Sequence, residues 1–379
     1  MAPLWFRRMA IEQESPEEYG TEAIRYNLSE SAFSDRAFAD LGVSLDRLLL
    51  SYGHHRGRPD LRQEVASDYA GLDADQILIT NGAAEALFVV AATLLRPKDA
   101  VVVLHPNYPS NYEVPRSLGC EVNLLALRFE DRYELDLDLL DRLVTPRTKL
   151  VSLTYPHNPT GALIEDGALA RAVDLVESRD SLLVVDETYR DLSLGRQLPT
   201  AASLSPRAVS VSTLSKAYGL PGIRIGWIAV QDRSLLDSFL ATKEQIDICN
   251  SILDEAVACH VLARREDYLA PARRIAREHL ATVAEWMERE RDLEWVPPQG
   301  GAVAFPRIRG DVPADVSEFY RILRDRHQTF VGPGHWFEQD DRSFRIGYGW
   351  PRLEDLKEGL EKVSLALAEA RRAPGTRSD

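Results

Sequence analysis

An α/β fold, with a mostly parallel sheet covered by helices on both faces and a smaller α+β unit beside it, is predicted by three features of this sequence. From Ile77 onward, short and nearly continuous apolar runs alternate with longer amphipathic ones. That is the pattern of strands buried on both faces and joined by crossover helices. The 379 residues exceed one ordinary core and suggest a large domain with a smaller companion. From about Trp295 the character changes, and short strand-like pieces mix with helices.

In chain order, Ile77–Thr80 reads as a strand and residues 83–95 as a buried helix. Residues 100–104, 121–127 and 149–154 read as three more strands, followed by a helix over 166–178. The apolar run Leu182–Asp186 is the next strand, and 208–212 and 225–230 are two more. Long helical stretches are expected over about 234–262 and 270–290. Residues 302–305 and 344–348 are strand-like, with helices over 316–326 and 352–370. In the last of these, Leu353, Leu356, Leu360, Val363 and Leu367 share one apolar face. The chain then divides into an N-terminal segment (1–50) that packs back onto the smaller domain, a large domain (51–290) and a small C-terminal domain (291–379). No repeat is visible, and the only low-complexity stretch is a polar tail after Ala373.

Composition narrows the class. Hydrophobic residues make up 45% and charged residues 27%, ordinary for a soluble globular protein. The net charge of −14 argues against a nucleic-acid polymer or an anionic membrane as the main partner, since both need basic surface. Cys120, Cys249 and Cys259 have no metal-ligand spacing and give no disulfide framework, so no metal is expected and a reducing cytoplasm fits. The opening Met1-Ala-Pro-Leu-Trp-Phe-Arg-Arg lacks the apolar core of a signal peptide, and no window has the length to span a bilayer.

The chemistry-bearing segments fall just past the carboxyl ends of the expected strands, where open α/β sheets place their functional residues. Asn81-Gly-Ala-Ala-Glu opens a helix, so the amides of Ala83 and Ala84 form an anion site after the tight turn at Gly82. His105-Pro-Asn-Tyr-Pro puts the ring of Tyr108 where it could stack on a heterocycle. Tyr155-Pro-His-Asn-Pro-Thr-Gly brackets Asn158 with prolines and fixes its amide. Asp186 ends a buried strand, where an ionised carboxylate is costly without a cation; an N-cap is the plainer reading. Tyr189 follows three residues later. Lys216 comes just off strand 208–212, where desolvation would lower its pKa and favour a Schiff-base role. Taken alone, such a lysine reads more readily as part of a polar loop. Thr213, Ser215 and Arg224 add hydroxyls and a positive charge suited to a phosphate. The ordered set is what gives the single pieces weight.

The motifs Tyr155-Pro-His-Asn-Pro-Thr-Gly and Ser212-Thr-Leu-Ser-Lys-Ala-Tyr-Gly-Leu-Pro-Gly-Ile-Arg-Ile-Gly-Trp resemble those of class I/II aminotransferases, the fold type I pyridoxal-phosphate enzymes. The resemblance extends from about Asn27 to Ala368 and implies a seven-stranded-type sheet with pyridoxal 5'-phosphate in the large domain. It implies that Lys216 attaches the cofactor and shuttles the Cα proton, that Asp186 pairs with the ring nitrogen, and that Asn158 and Tyr189 bond the ring hydroxyl. Tyr108 would stack on the ring; Ala83, Ala84, Thr213, Ser215 and Arg224 would hold the phosphate. Tyr52, in Ser51-Tyr-Gly-His-His-Arg-Gly, would reach the phosphate of a neighbouring subunit, so a homodimer with shared sites is implied. Arg345, in Phe344-Arg-Ile-Gly-Tyr-Gly, would bind the substrate α-carboxylate. Catalysis would rest on Lys216, Asp186 and Tyr108, and substrate binding on Arg345, Asn158, Glu30 and Ser29.

Within the family, Pro156-His-Asn-Pro, Gly300-Gly-Ala-Val-Ala-Phe-Pro-Arg307 and Arg345-Ile-Gly-Tyr-Gly are similar to the capreomycidine synthase-like group. That similarity implies side-chain elimination, replacement or cyclisation on an L-amino acid, through an external aldimine and a quinonoid, in natural-product biosynthesis. Hydroxyarginine and S-adenosylmethionine are candidate substrates. An ordinary aminotransferase, an arginine oxidase and a cofactor-sensing regulator are the alternatives. The regulator would need a DNA-binding module, and no basic recognition helix is visible. One departure is Tyr26-Asn-Leu-Ser-Glu-Ser31, in place of the family's Gly-rich segment. Glu30 there is expected to meet a cationic or polar side chain; a surface acid before a helix is the other reading. His54, His55 and His157 could act as extra acid–base groups, but a surface or structural role is the plainer reading of each.

Overall fold

The computed structural model describes residues 5–372, so the polar tail after Ala373 lies outside the described residues. Seven strands make the central sheet: β1 (Ile77–Thr80), β2 (Ala100–His105), β3 (Glu121–Ala126), β4 (Thr148–Thr154), β5 (Leu182–Asp186), β6 (Ala208–Thr213) and β7 (Gly226–Val230). Their spatial order is β1-β7-β6-β5-β4-β2-β3. Strand β7 is antiparallel to both neighbours, and every other pairing is parallel. Four helices matter to the site: α1 (Ala10–Gln13), α2 (Gly82–Leu94), α3 (Arg233–Lys243) and α4 (Ile252–Leu262).

Both faces of the sheet are buried, which is why its strands read as unbroken apolar runs. Val101, Val103, Leu150, Val184 and Val209 pack with α2 and α3 on one face. Val102, Leu104, Val151, Leu153 and Val185 pack on the other against Leu169, Ala172 and Val176 of the helix Ala168–Ser178. The reversed direction of β7 shapes the functional edge. Its first residue, Gly226, sits in register with Thr80, at the end of β1, and with Thr213, at the end of β6. The segment that enters β7, with Arg224, therefore lies at the same edge as the carboxyl ends of its neighbours.

Gly226 is also where that edge is tightest. A Cβ there would stand 2.7 Å from both the Ala83 nitrogen and the Ser212 oxygen, backbone atoms that cannot swing aside. Gly226→Ala is expected to destabilise the protein by about 3 kcal/mol and to displace the start of α2. A urea midpoint unchanged from wild type would contradict this.

The N-terminal segment and the C-terminal region meet directly. Tyr26–Asn27 pairs in parallel with Thr329–Phe330, and Val303–Ala304, Phe344–Gly347 and Gly332–Pro333 form a three-stranded antiparallel sheet. Leu356, Leu360, Val363 and Leu367 of the last helix, Leu353–Arg372, are buried in the same core as Phe319 and Ile322.

Two expected helices differ. The stretch over 234–262 is two helices, α3 and α4, because residues 244–251 leave the helix. Ser251 then caps α4, its side chain accepting from the Asp254 N–H. Ile246 and Ile248, which carry apolar character through the gap, are about half exposed. The next helix begins at Arg265, not 270, and runs through Pro271 to Arg289. Among the described residues no helix is long and apolar enough to cross a membrane.

Glu187 follows β5 into the interior. Its Oε1 accepts from the Ala201 N–H at 2.6 Å and the Ser210 hydroxyl at 2.8 Å, while Oε2 has no partner among the described residues. Burial pushes its carboxyl up from 4.5 to about 7. A carboxyl raised in the folded state stabilises fully below its unfolded value, and that contribution is lost as pH rises through the folded value. Stability should therefore fall between about pH 4.5 and 7 from this group, by about 3 kcal/mol. Glu187→Gln should flatten that part of the unfolding profile. A slope equal to wild type would count against it.

Candidate active site

A cavity of about 810 Å3 opens at the carboxyl edge of the sheet, between it, the N-terminal segment and the C-terminal region. Lys216 lies just past β6. It is half-buried, and its Nζ donates to Ser31 Oγ at 3.0 Å. Its charge also acts on Glu30 and Asp186, which face it.

Asp186, the last residue of β5, is 6% exposed and accepts the Thr188 N–H at 3.1 Å. Among the described residues it has no ion-pair partner, and burial pushes its carboxyl up. Asn158 follows β4, and its Oδ1 accepts from Arg345 Nη1 at 3.0 Å. Arg345 is buried in the strand Phe344–Gly347. Its Nη2 donates to the Ser29 carbonyl at 2.6 Å, and its Nε has no partner among the described residues. The Tyr189 hydroxyl is likewise buried with no partner among the described residues.

The edge between β1, β7 and β6 forms a cup of donors. Gly82 turns at φ +82°, and the first-turn amides of α2, including those of Ala83 and Ala84, have no carbonyl of the helix itself to donate to. Thr213 Oγ1 donates to the Ile225 carbonyl at 2.7 Å, and Ser215 Oγ accepts from Arg224 Nη1 at 3.3 Å. A Cβ on Gly82 would collide with the Arg224 guanidinium, so glycine is what lets this arginine close the cup.

Tyr108 lines the opposite wall. Its hydroxyl donates to Glu12 Oε1, on α1, at 2.8 Å, and burial together with that carboxylate pushes its phenol up. Glu14, just after α1, accepts from Trp336 Nε1 and pairs with His335 Nε2, each at 2.8 Å. Burial opposes protonation of His335, but its hydrogen bonds to Glu14 and Asp341 outweigh it and raise the imidazole. The segment around α1 is thus a strap fastened to both sides of the cavity. Glu30 lies beneath it, its carboxyl pushed up by burial against the opposing effect of Lys216, with Glu17 adding to the rise.

The cavity brings together Ala83, Ala84, Tyr108, Asn158, Asp186, Tyr189, Thr213, Ser215, Lys216 and Arg224, with Glu30, Ser29 and Arg345. Tyr52 is not in its lining; it is 83% exposed, next to Leu49 and Leu50 at 79% each. The candidate histidines do not line it either. His157 is a structural residue: Nδ1 bonds Thr160 Oγ1, Nε2 bonds the Pro106 carbonyl, and burial pushes its pKa down to about 3. His55 pairs with Glu244 at 2.6 Å, and His54 lies beside it in the same exposed turn.

Sequence reasoning missed Ser31, Trp336 and the acids of the strap. Ser31 belongs to the same Ser-Glu-Ser stretch as Glu30 and could have been read with it. Glu12 and Glu17 sit on four-residue helices that leave no periodic signal.

These residues fit pyridoxal phosphate. A buried carboxylate without a cation suits a protonated ring nitrogen. The unpartnered Tyr189 hydroxyl suits a ring oxygen, and the cup of amides, hydroxyls and guanidinium suits a dianion.

Comparisons with known proteins agree. The family model for aminotransferase class I and II matches residues 28–363. Capreomycidine synthase of Streptomyces vinaceus is 34% identical over 327 residues, covering 85% of this chain and 82% of that protein. Arginine–pyruvate transaminase AruH of Pseudomonas aeruginosa is 27% identical over 370 residues, covering 93% and 92%. The solved structure of the PLP-dependent cyclase OrfR superposes with a TM-score of 0.88 at 30% identity, covering 97% of this chain and 99% of that one.

Proposed function

We propose that this chain, which belongs to the class I and II aminotransferase family of pyridoxal-phosphate enzymes, rebuilds the side chain of a cationic L-amino acid by elimination, replacement or cyclisation. The observation that carries the reading is Glu30, a carboxyl held up by burial and facing the same volume as Lys216. Amino transfer needs one group to move a proton at Cα. Loss of a poor side-chain leaving group such as hydroxide also needs an acid to protonate it as it departs, and in this reading Glu30 is that acid. Similarity to capreomycidine synthase and to the cyclase OrfR supports this. The acids Glu12, Glu17, Glu18 and Asp35, also in the lining, favour a cationic side chain such as that of a hydroxylated arginine or a sulfonium.

In this reading Ala83, Ala84, Thr213, Ser215 and Arg224 hold the phosphate, Asp186 the ring nitrogen, and Asn158 and Tyr189 the ring hydroxyl. Tyr108 covers one face of the ring. When bound, the cofactor supplies an electron sink for the bond broken at Cα. Arg345 fixes the substrate α-carboxylate, and Lys216 moves the proton at Cα and then at the side chain. The strap excludes bulk water. Tyr52 completes the phosphate site of a second copy; its exposure beside Leu49 and Leu50 suits a face that a partner covers.

Similarity to arginine–pyruvate transaminase favours a second reading, amino transfer from arginine to pyruvate. One experiment separates the two. The enzyme is mixed with a panel of cationic amino acids in deuterated water without a 2-oxo acid. Deuterium at Cβ and Cγ, or an eliminated or cyclic product by mass spectrometry, is the expected result. Turnover only on adding a 2-oxo acid, with label at Cα alone, would establish the second reading instead.

A further inference from the structure

Helix α3 ends in an ionic arrangement that the core does not need. The Lys243 side chain is 0% exposed, and its ammonium pairs with Asp247 Oδ1 at 2.5 Å. Burying such a pair gains little stability, because desolvation cancels most of the attraction; apolar residues of similar volume would serve the packing as well or better. What the pair touches is the start of α2. Asp247 Oδ2 accepts from Asn81 Nδ2 at 2.5 Å, and Asn81 Oδ1 accepts from Asn250 Nδ2 at 2.9 Å. The Asn81 N–H donates to Glu85 Oε2 at 2.5 Å, and its carbonyl accepts from Arg224 Nη2 at 3.4 Å. Asn81 is gripped at both ends of its side chain and at both backbone polar groups, one residue before the Gly82 turn.

We propose that Lys243 and Asp247 are positioning residues for the phosphate cup, acting through Asn81 on the first-turn amides of α2 and on the Arg224 guanidinium. The charge has a specific task. A side-chain amide can flip and present either end, whereas an ionised carboxylate only accepts. Held against the Lys243 ammonium, Asp247 takes the Nδ2 end of Asn81, from which Glu85 Oε1 also accepts at 3.3 Å, and the Oδ1 end is left for Asn250. With the side chain set one way, the Asn81 carbonyl is held toward Arg224 and the chain enters Gly82 in one direction. The proposal rests on the assignment of this cup to the phosphate.

The test compares pyridoxal phosphate with pyridoxal, which lacks the phosphate. Cofactor is released from the full-length holoenzyme, and rebinding of each compound is followed by its visible absorbance. In the double variant Lys243→Met/Asp247→Leu the apparent Kd for pyridoxal phosphate should rise about tenfold or more, while that for pyridoxal changes less than about twofold. The same variant should melt no lower than wild type before cofactor is added, which a merely structural role would not allow. Asp247→Asn, nearly isosteric, should show a smaller loss in the same direction, and it carries the test if the double variant fails to fold. Unchanged affinity for pyridoxal phosphate, or equal weakening of both compounds, overturns the proposal. Arg224→Ala separates this from the underlying assignment. If it too leaves the phosphate preference intact, the phosphate lies elsewhere; if it loses the preference while the pair variants keep it, only the positioning role falls.

Discussion

Lys216→Ala is expected to lower turnover by about 10^4-fold or more while leaving the fold intact. Among the described residues the lysine is the only amine in the cavity lining, and in the proposed reading two tasks fall to it: holding the cofactor covalently and moving the substrate proton. Loss of an acid–base group alone costs about 10^2- to 10^4-fold, and loss of covalent attachment adds to that. The side chain is half-buried with one hydrogen bond, to Ser31, so its removal leaves no large void in the core. Two measurements check this. Borohydride treatment followed by peptide mass spectrometry should mark Lys216 in the wild type and nothing in the variant. Melting temperature without cofactor should be nearly unchanged. A variant that forms product at a wild-type rate would overturn the assignment of the cofactor site.

Asp186→Asn is expected to cost about 10^3-fold in kcat, roughly 4 kcal/mol of barrier, yet to leave the cofactor-free chain as stable as wild type or more so. The native carboxylate sits at a buried strand end with one N–H donor and, among the described residues, no ion-pair partner. Before cofactor binds, that is an uncompensated burial, and burial has already pushed its carboxyl up. An amide of the same shape keeps the Thr188 N–H as partner without the charge. What it cannot do is hold a protonated ring nitrogen, so the cofactor's pull on electrons weakens. The signature is a divergence: the rise in melting temperature on adding cofactor should be smaller in the variant, although its starting point is no lower. A variant with native kcat would remove Asp186 from the mechanism.

The sheet was legible because its strands are buried on both faces, and such runs stand out from amphipathic helices without any tertiary information. Most of the cavity was legible for the same reason, since Asn158, Asp186 and Lys216 each follow such a run. The rest depended on long-range geometry. Residues 244–251 leave the helix although Ile246 and Ile248 continue the apolar character, because Asp247 and Asn250 are turned toward Asn81. Lys243 looks like any lysine of an amphipathic helix; nothing local signals that it is wholly buried. For His157 the sequence left a titrating role open beside the plainer structural one, and what decides for the latter, its position between Thr160 and the Pro106 carbonyl, is a fold contact across fifty-one residues. The acids of the strap sit on turns of helix too short to leave a period.

That shortness has a physical consequence. A four-residue helix cannot persist by itself, since its nucleation cost exceeds what so few backbone hydrogen bonds return. The strap is ordered by what it grips: Tyr108 on one wall through Glu12, His335 and Trp336 on the other through Glu14. The turn of helix is therefore borrowed order, lent by the two walls it joins, and the segment acts as a tie between them rather than as an element in its own right.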